Sequence, residues 1–230
     1  MRPLLFLFVL TIFGCKNTET ATNTVTPTPE AAHSCLALGD SYTIGTSVAD
    51  SSRWSVQMVA QMRKAQIPML DADIIARNGW TCRDLQDGID AANNTKKYEL
   101  VTLLIGVNNQ YRRQDINAFR VEFRGIVQTA IGFAQNKEKK RVLILSIPDW
   151  GVTPAGGSSA AIIAADIDRF NAVEQDECNA AGVQFIDITP LSRTASGESS
   201  LVASDGLHFS GKMYRLWAEK TLPFATKVVR

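Results

Sequence analysis

The sequence predicts an α/β fold: a doubly wound parallel sheet of five strands with helices on both faces, a three-layer sandwich. Three observations predict it. Short apolar runs recur at residues 35–38, 74–76, 100–105, 142–147 and 183–188. Segments of helical period separate these runs, and strands alternating with helices build parallel sheets. Finally, 45% apolar and 20% charged residues over 230 positions is a globular composition with room for one full core.

The chain opens with a segment unlike the rest. Arg2 precedes an apolar run, residues 4–13, broken only by Thr11. The run is shorter than the roughly 20 apolar residues a membrane span needs, so it reads as a signal segment. It ends Ile12-Phe13-Gly14-Cys15, which resembles a bacterial lipobox and implies that Cys15 is lipidated and becomes the first mature residue, with the membrane met through this lipid anchor only. A plain secretory signal cleaved elsewhere is the alternative. Lys16 supplies no aspartate-type inner-membrane retention signal, which favours the outer membrane of a bacterial envelope. Residues 16–32 are rich in Thr, Asn and Pro with few apolar side chains and cannot offset their ordering entropy, so they predict a disordered tether. The predicted organisation is therefore a signal peptide over 1–14, a lipidated cysteine and tether over 15–33, and one domain over 34–230.

The helices follow in order. Within 53–66, Trp54, Met58 and Met62 fall on one helical face. Residues 81–93 begin Thr81-Cys82-Arg83-Asp84, a candidate N-cap with an acid three positions on. Over 115–135, Ile116, Phe119, Phe123, Ile126, Val127 and Ala130 recur at helical spacing, and 161–181 and 211–221 complete the set. All of these apolar positions are assigned to core. The longest loops are 148–160 and 189–209.

Counts exclude several functions. The formal net charge is +1, so the chain as a whole has no excess with which to hold a polyanion, and nucleic-acid binding is not expected. The basic run at Lys137, Lys139, Lys140 and Arg141 is interrupted by Glu138 and reads as the solvated end of a helix. Two histidines exclude a histidine-rich metal centre. Beyond Cys15 the cysteines are Cys35, Cys82 and Cys178, an odd set without metal-ligand spacing, which reads as buried hydrophobes forming at most one disulfide. No cofactor is implied.

Function in parallel sheets sits at the carboxyl ends of the strands, and four short motifs stand at or near them. Strand one ends Gly39-Asp40-Ser41, presenting a hydroxyl. Strand two ends Arg77-Asn78-Gly79-Trp80, where a glycine offers an unobstructed backbone N–H. Strand three ends Gly106-Val107-Asn108-Asn109, with a side-chain amide. Near the carboxyl terminus stands Asp205-Gly206-Leu207-His208, a carboxylate three residues before an imidazole. Each alone is more often a turn than a site. Together they supply a nucleophile, a base, an orienting acid and an oxyanion hole, the parts acyl transfer requires.

This constellation resembles the SGNH (GDSL-like) hydrolase family over residues 34–222. Block I is matched by Gly39-Asp40-Ser41, block II by Gly79, block III by Gly106-Val107-Asn108-Asn109 and block V by Asp205-Gly206-Leu207-His208. Tyr42 stands where many members have leucine, and Val107 where a small or polar residue is frequent. The resemblance implies a flavodoxin-like sheet in strand order 2-1-3-4-5 and a serine esterase. Ser41 is then the nucleophile, His208 the base, Asp205 its orienting acid, and Ser41, Gly79 and Asn108 the oxyanion donors. The expected partner is an ester substrate, short-chain or an acetylated polysaccharide, with lipase, lysophospholipase or thioesterase activity as alternatives. Trp80, Tyr111 and Trp150 are candidates to stack on a sugar or pack an acyl chain, or simply to fill structure. A non-catalytic glycan-binding lipoprotein on the same fold is the rival class, as is a redox or metal protein using the cysteines.

Overall fold

A computed structural model describes residues 31–230; the predicted signal peptide, Cys15 and residues 16–30 of the tether lie outside the described residues. In chain order the elements are β1 (Cys35–Gly39), α1 (Ser41–Ile44), α2 (Trp54–Lys64), β2 (Asp73–Ala76), α3 (Cys82–Ala92), β3 (Leu100–Leu104), α4 (Val107–Tyr111) and α5 (Ile116–Phe133). They continue with β4 (Val142–Leu145), α6 (Ala160–Ala181), β5 (Gln184–Ile186), α7 (Thr189–Arg193) and α8 (Gly211–Val229). The five strands form one sheet in the order β2-β1-β3-β4-β5. Every pairing is parallel, with Leu38 opposite Ile75 and Leu103, and Ile144 opposite Phe185.

The apolar runs are strands because they are covered on both faces. Leu36, Leu38, Leu103 and Ile144 are fully buried, as uninterrupted apolar strands of parallel sheets are. One face is covered by α2 packed on α8, and the other by α3, α5 and α6 packed side by side. Trp54, Met58 and Met62 on α2 meet the sheet as a single buried face, and so do Phe119, Phe123, Ile126 and Val127 on α5.

Local signals set the boundaries. Thr81 caps α3 in a reciprocal capping box with Asp84, and Asp115 caps α5 by accepting from the N–H groups of Asn117 and Ala118. The last helix departs from expectation. Predicted over 211–221, α8 passes through Pro223 and runs to Val229. Trp217, Thr221 and Ala225 lie fully buried along one stripe, so burial of the face beyond the proline outweighs the one backbone bond that proline removes. The basic stretch before β4 is not a helix end either. It forms two single 3₁₀ turns, Gln135–Lys137 and Lys139–Arg141.

Candidate active site

Each predicted motif stands at a strand's carboxyl end because the sheet is parallel. β1 ends at Gly39, and Asp40 caps the single turn α1 by accepting the Tyr42 N–H at 3.0 Å. Ser41 is thereby the first residue of a helical turn whose own N–H has no partner within that turn, as the geometry of helix starts dictates. β2 leads to Gly79, whose φ of 81° only glycine adopts without strain. β3 leads to Gly106, with φ 116°, where the buried Glu174 carboxyl packs so closely that a Cβ would meet it at 2.7 Å. Glycine at Gly106 is thus doubly required.

Asp205 and His208 form a tight pair. His208 Nδ1 lies 2.6 Å from Asp205 Oδ2, while Asp205 Oδ1 accepts the backbone N–H groups of Leu207 and His208 at 2.9 Å each. Sequence reading missed a further partner: Ser47 Oγ donates to the same Asp205 Oδ2 at 2.6 Å. Ser47 has φ 66°, a left-handed conformation uncommon for a non-glycine residue, in the loop just after the Ser41 turn. Burial alone would raise Asp205, but the hydrogen bonds from Ser47, Leu207 and His208 hold its carboxyl well below the usual range. The acid is therefore an anion throughout the neutral range. Tyr42 packs edge-on against the imidazole with ring centroids 5.8 Å apart.

These residues converge on one cleft of about 240 Å³, lined by Ser41, Asn78, Asn108, Tyr111, Trp150 and His208 among others. Ser41 Oγ and His208 Nε2 are not hydrogen-bonded to each other in the uncomplexed chain; such bonds often tighten only when substrate binds. Asn108 Nδ2 donates to Trp80 O at 2.9 Å. One amide hydrogen thus fixes the group, and the second remains to serve the cleft. Gly79 itself does not line the cleft, although its neighbour Asn78 does, and Gly79 O accepts from Arg112 at 2.7 Å. Larger hollows exist, one of about 760 Å³ between Arg113 and Arg169, but none of the predicted site residues lines it.

The second asparagine of block III is structural. Asn109 is fully buried; its Oδ1 accepts the Cys82 N–H at 3.0 Å and its Nδ2 donates to Gln114 and Glu122. It ties the start of α3 to α5 and so fixes Asn108 beside it. Of the three aromatic candidates, Tyr111 and Trp150 line the cleft in edge contact, centroids 5.5 Å apart. Trp150 Nε1 is anchored to Gln110 Oε1 at 3.0 Å. Trp80 instead lies across Gly88 of α3, where a side chain would collide with its ring, so it fills structure.

Beneath the site lie two buried acids. Asp40 is pushed up to about 7 by burial, against the lowering effect of the Tyr42 N–H. Burial, then the nearby Asp40, raise Glu174 well above the usual carboxyl range, and neither of its oxygens has a hydrogen-bond partner. Among the described residues, Cys35, Cys82 and Cys178 are buried and unpaired. Burial pushes Cys35 up to about 12 and raises Cys82 and Cys178 as well, which leaves them inert as nucleophiles. Among the described residues no group of acids, histidines and cysteines is arranged to hold a metal ion.

Solved structures with this fold are numerous. TesA matches with a TM-score of 0.66 at 17% identity, over 85% of this chain and 99% of that one. A lipase/acylhydrolase from Enterococcus faecalis matches at 0.67 and 17%, over 86% and 97%. The acetylxylan esterase Axe2 from Geobacillus stearothermophilus matches at 0.65 and 16%, over 87% and 97%. No curated protein sequence matches the chain. At these identities the likeness establishes the fold, and the family comes from the sequence itself. The GDSL-like lipase/acylhydrolase pattern matches residues 37–216, a span that begins inside β1 and ends in α8, and by it this chain belongs to that family of hydrolases.

Proposed function

We propose that the chain is a serine esterase in which Ser41 attacks the ester carbonyl while His208 accepts its proton. Asp205 holds the imidazole by Nδ1, leaving Nε2 for the serine, and stabilises the ring once charged. The tetrahedral oxyanion is received by the N–H groups of Ser41 and Gly79 and by the free amide hydrogen of Asn108. His208 then returns the proton to the departing alcohol, and an activated water cleaves the acyl-serine by the same steps in reverse order. The observation that carries this reading is the meeting of Ser41, Asn108 and His208 in one cleft, with His208 Nδ1 on an ionised Asp205.

The substrate we favour is a short acyl ester on a carbohydrate. A cleft of about 240 Å³ lies below the roughly 300–1,000 Å³ of ligand-sized pockets, which suits an acetyl group better than a long chain. Tyr111 is 64% exposed beside the half-buried Trp150, and an exposed aromatic ring at a cleft mouth is the apolar surface a sugar ring packs against. The likeness to Axe2, described as an acetylxylan esterase, supports the same direction. The sequence adds a place: lipidation at Cys15 would keep the enzyme in the bacterial envelope, facing extracytoplasmic esters.

A hydrolysis panel tests the whole reading. Acetylated xylan and p-nitrophenyl acetate should be cleaved well, p-nitrophenyl palmitate and lysophospholipid poorly, and Ser41→Ala should abolish turnover on all of them. Wild-type rates in Ser41→Ala would refute the nucleophile, and a preference for palmitate would refute the substrate.

A further inference from the structure

A formal net charge of +1 conceals a separation of charge that the fold creates. All five strands begin at one pole, opposite the catalytic cleft. The turns entering β4 there carry Lys137, Lys139 and Lys140, all exposed. Helix α8 runs back to the same pole and delivers Lys227 beside Lys140. The two lysines flank a hollow of about 510 Å³ lined also by Leu143, Val183, Phe224 and Val228. Lys139 reaches the end of α6 at Gly182, and Lys97 Nζ lies 2.7 Å from Gly132 O at the end of α5. Glu138 is shared by Lys140 and Arg141 at 3.2 and 3.1 Å. Lys137, Lys139 and Lys227 form no salt bridge among the described residues. The described chain also enters here: His33 forms a bridge with Met69 and bonds Glu99 at 2.6 Å, next to Leu70, which is 52% exposed.

We propose that this pole is a docking surface for an anionic lipid bilayer, with Lys137, Lys139, Lys140 and Lys227 set against headgroup phosphates. Three features select a bilayer over other polyanions. The excess is local, so a long polymer wrapping the domain would meet the acidic remainder, whereas a plane touches one pole only. Lys140 and Lys227 border an apolar-lined hollow, which suits an interface with polar heads over apolar chains. Finally, the described chain begins at this pole, at residue 31, so the pole is where the preceding segment attaches. Docked this way, the cleft points away from the lipid toward polymeric substrate. The proposal does not depend on the esterase mechanism.

The test is vesicle co-sedimentation of the full chain carrying Cys15→Ser, so that no acyl group contributes. Vesicles of phosphatidylcholine alone are compared with vesicles containing phosphatidylglycerol, at low and high salt. The apolar run at residues 4–13 acts equally on both, so the ratio between the two compositions is read. Each surface lysine near anionic lipid is worth roughly fivefold in partitioning. Reversing all four, Lys137→Glu, Lys139→Glu, Lys140→Glu and Lys227→Glu, should therefore cut the anionic preference by at least several hundredfold. The corresponding four glutamine substitutions, which leave Glu138 unopposed by new acids, should give a smaller loss in the same direction. Hydrolysis of p-nitrophenyl acetate should be unchanged in both, which also certifies folding. Equal partitioning to the two vesicle types, or a reversed variant that keeps the preference, overturns the proposal. So does a soluble sulfated glycan that displaces the protein at equal charge concentration, since the pole would then be a polymer site.

Discussion

Replacing Asp40 by asparagine probes the electrostatics under the nucleophile turn. Asp40 is buried, with Oδ1 accepting the Tyr42 N–H and Oδ2 without a partner. Burial lifts its pKa from 3.8 to about 7. That rise of about 3 units corresponds to about 4 kcal/mol. Between pH about 4 and 7 the folded chain retains a proton that the unfolded chain has released, so stability is lost as pH rises through this window and stays low above it. Asparagine keeps an acceptor for Tyr42 but cannot ionise. Its unpartnered N–H₂ carries a desolvation cost that is the same at every pH and cancels when two pH values are compared. Unfolding in urea, followed by fluorescence of the buried Trp54 and Trp217, should show Asp40→Asn gaining up to about 4 kcal/mol on the parent between pH about 3.5 and 8. A variant whose offset from the parent is constant across that range would refute the reasoning. If Glu174→Gln showed the pH-dependent offset instead, the titrating acid would be Glu174.

Further outcomes follow from the same geometry. Asn108→Ala should lower kcat by on the order of 10²–10³ with a small change in KM, because it removes an oxyanion donor; steady-state kinetics on p-nitrophenyl acetate reads this directly. Ser47→Ala should cost roughly tenfold in kcat, about what a hydrogen bond to a charged group is worth. Tyr111→Ala should raise KM for acetylated xylan several-fold while leaving p-nitrophenyl acetate turnover unchanged, and a parallel loss on both substrates would show that Tyr111 supports the cleft wall instead.

Much of this architecture is legible in the sequence because its signals are local. Thr81 and Asp84 announce the start of α3 four residues at a time, and residues 142–145 form an apolar run that only a covered strand explains. Strand order 2-1-3-4-5 came from a resemblance and is the order observed. Ser47 was not legible, since its partner Asp205 is 158 positions away and no periodicity joins them. The division of labour between Asn108 and Asn109 was hidden for a similar reason. Both are polar residues in a turn, and only the depth of the second, bonded to Cys82, Gln114 and Glu122, shows it to be structural. The run of α8 beyond residue 221 was not legible either, because Pro223 argues locally for a stop while the buried stripe through Ala225 appears only in the folded chain.

The buried acids expose a tension that short motifs cannot reveal. Glu174 lies on α6, far in sequence from either β1 or β3, yet its carboxyl packs against Gly106 and acts electrostatically on Cys82, near Asp40. It thus sits below the three turns that carry Ser41, Gly79 and Asn108. A side chain with both oxygens unpartnered weakens the fold when it ionises, and an apolar residue of similar volume would remove that cost. Glu174→Leu should therefore be at least as stable as the parent at pH about 8. If turnover fell nonetheless with KM unchanged, the carboxyl would be needed to set the three turns at their catalytic spacing. If turnover held, Glu174 would be a buried charge that the fold tolerates without using.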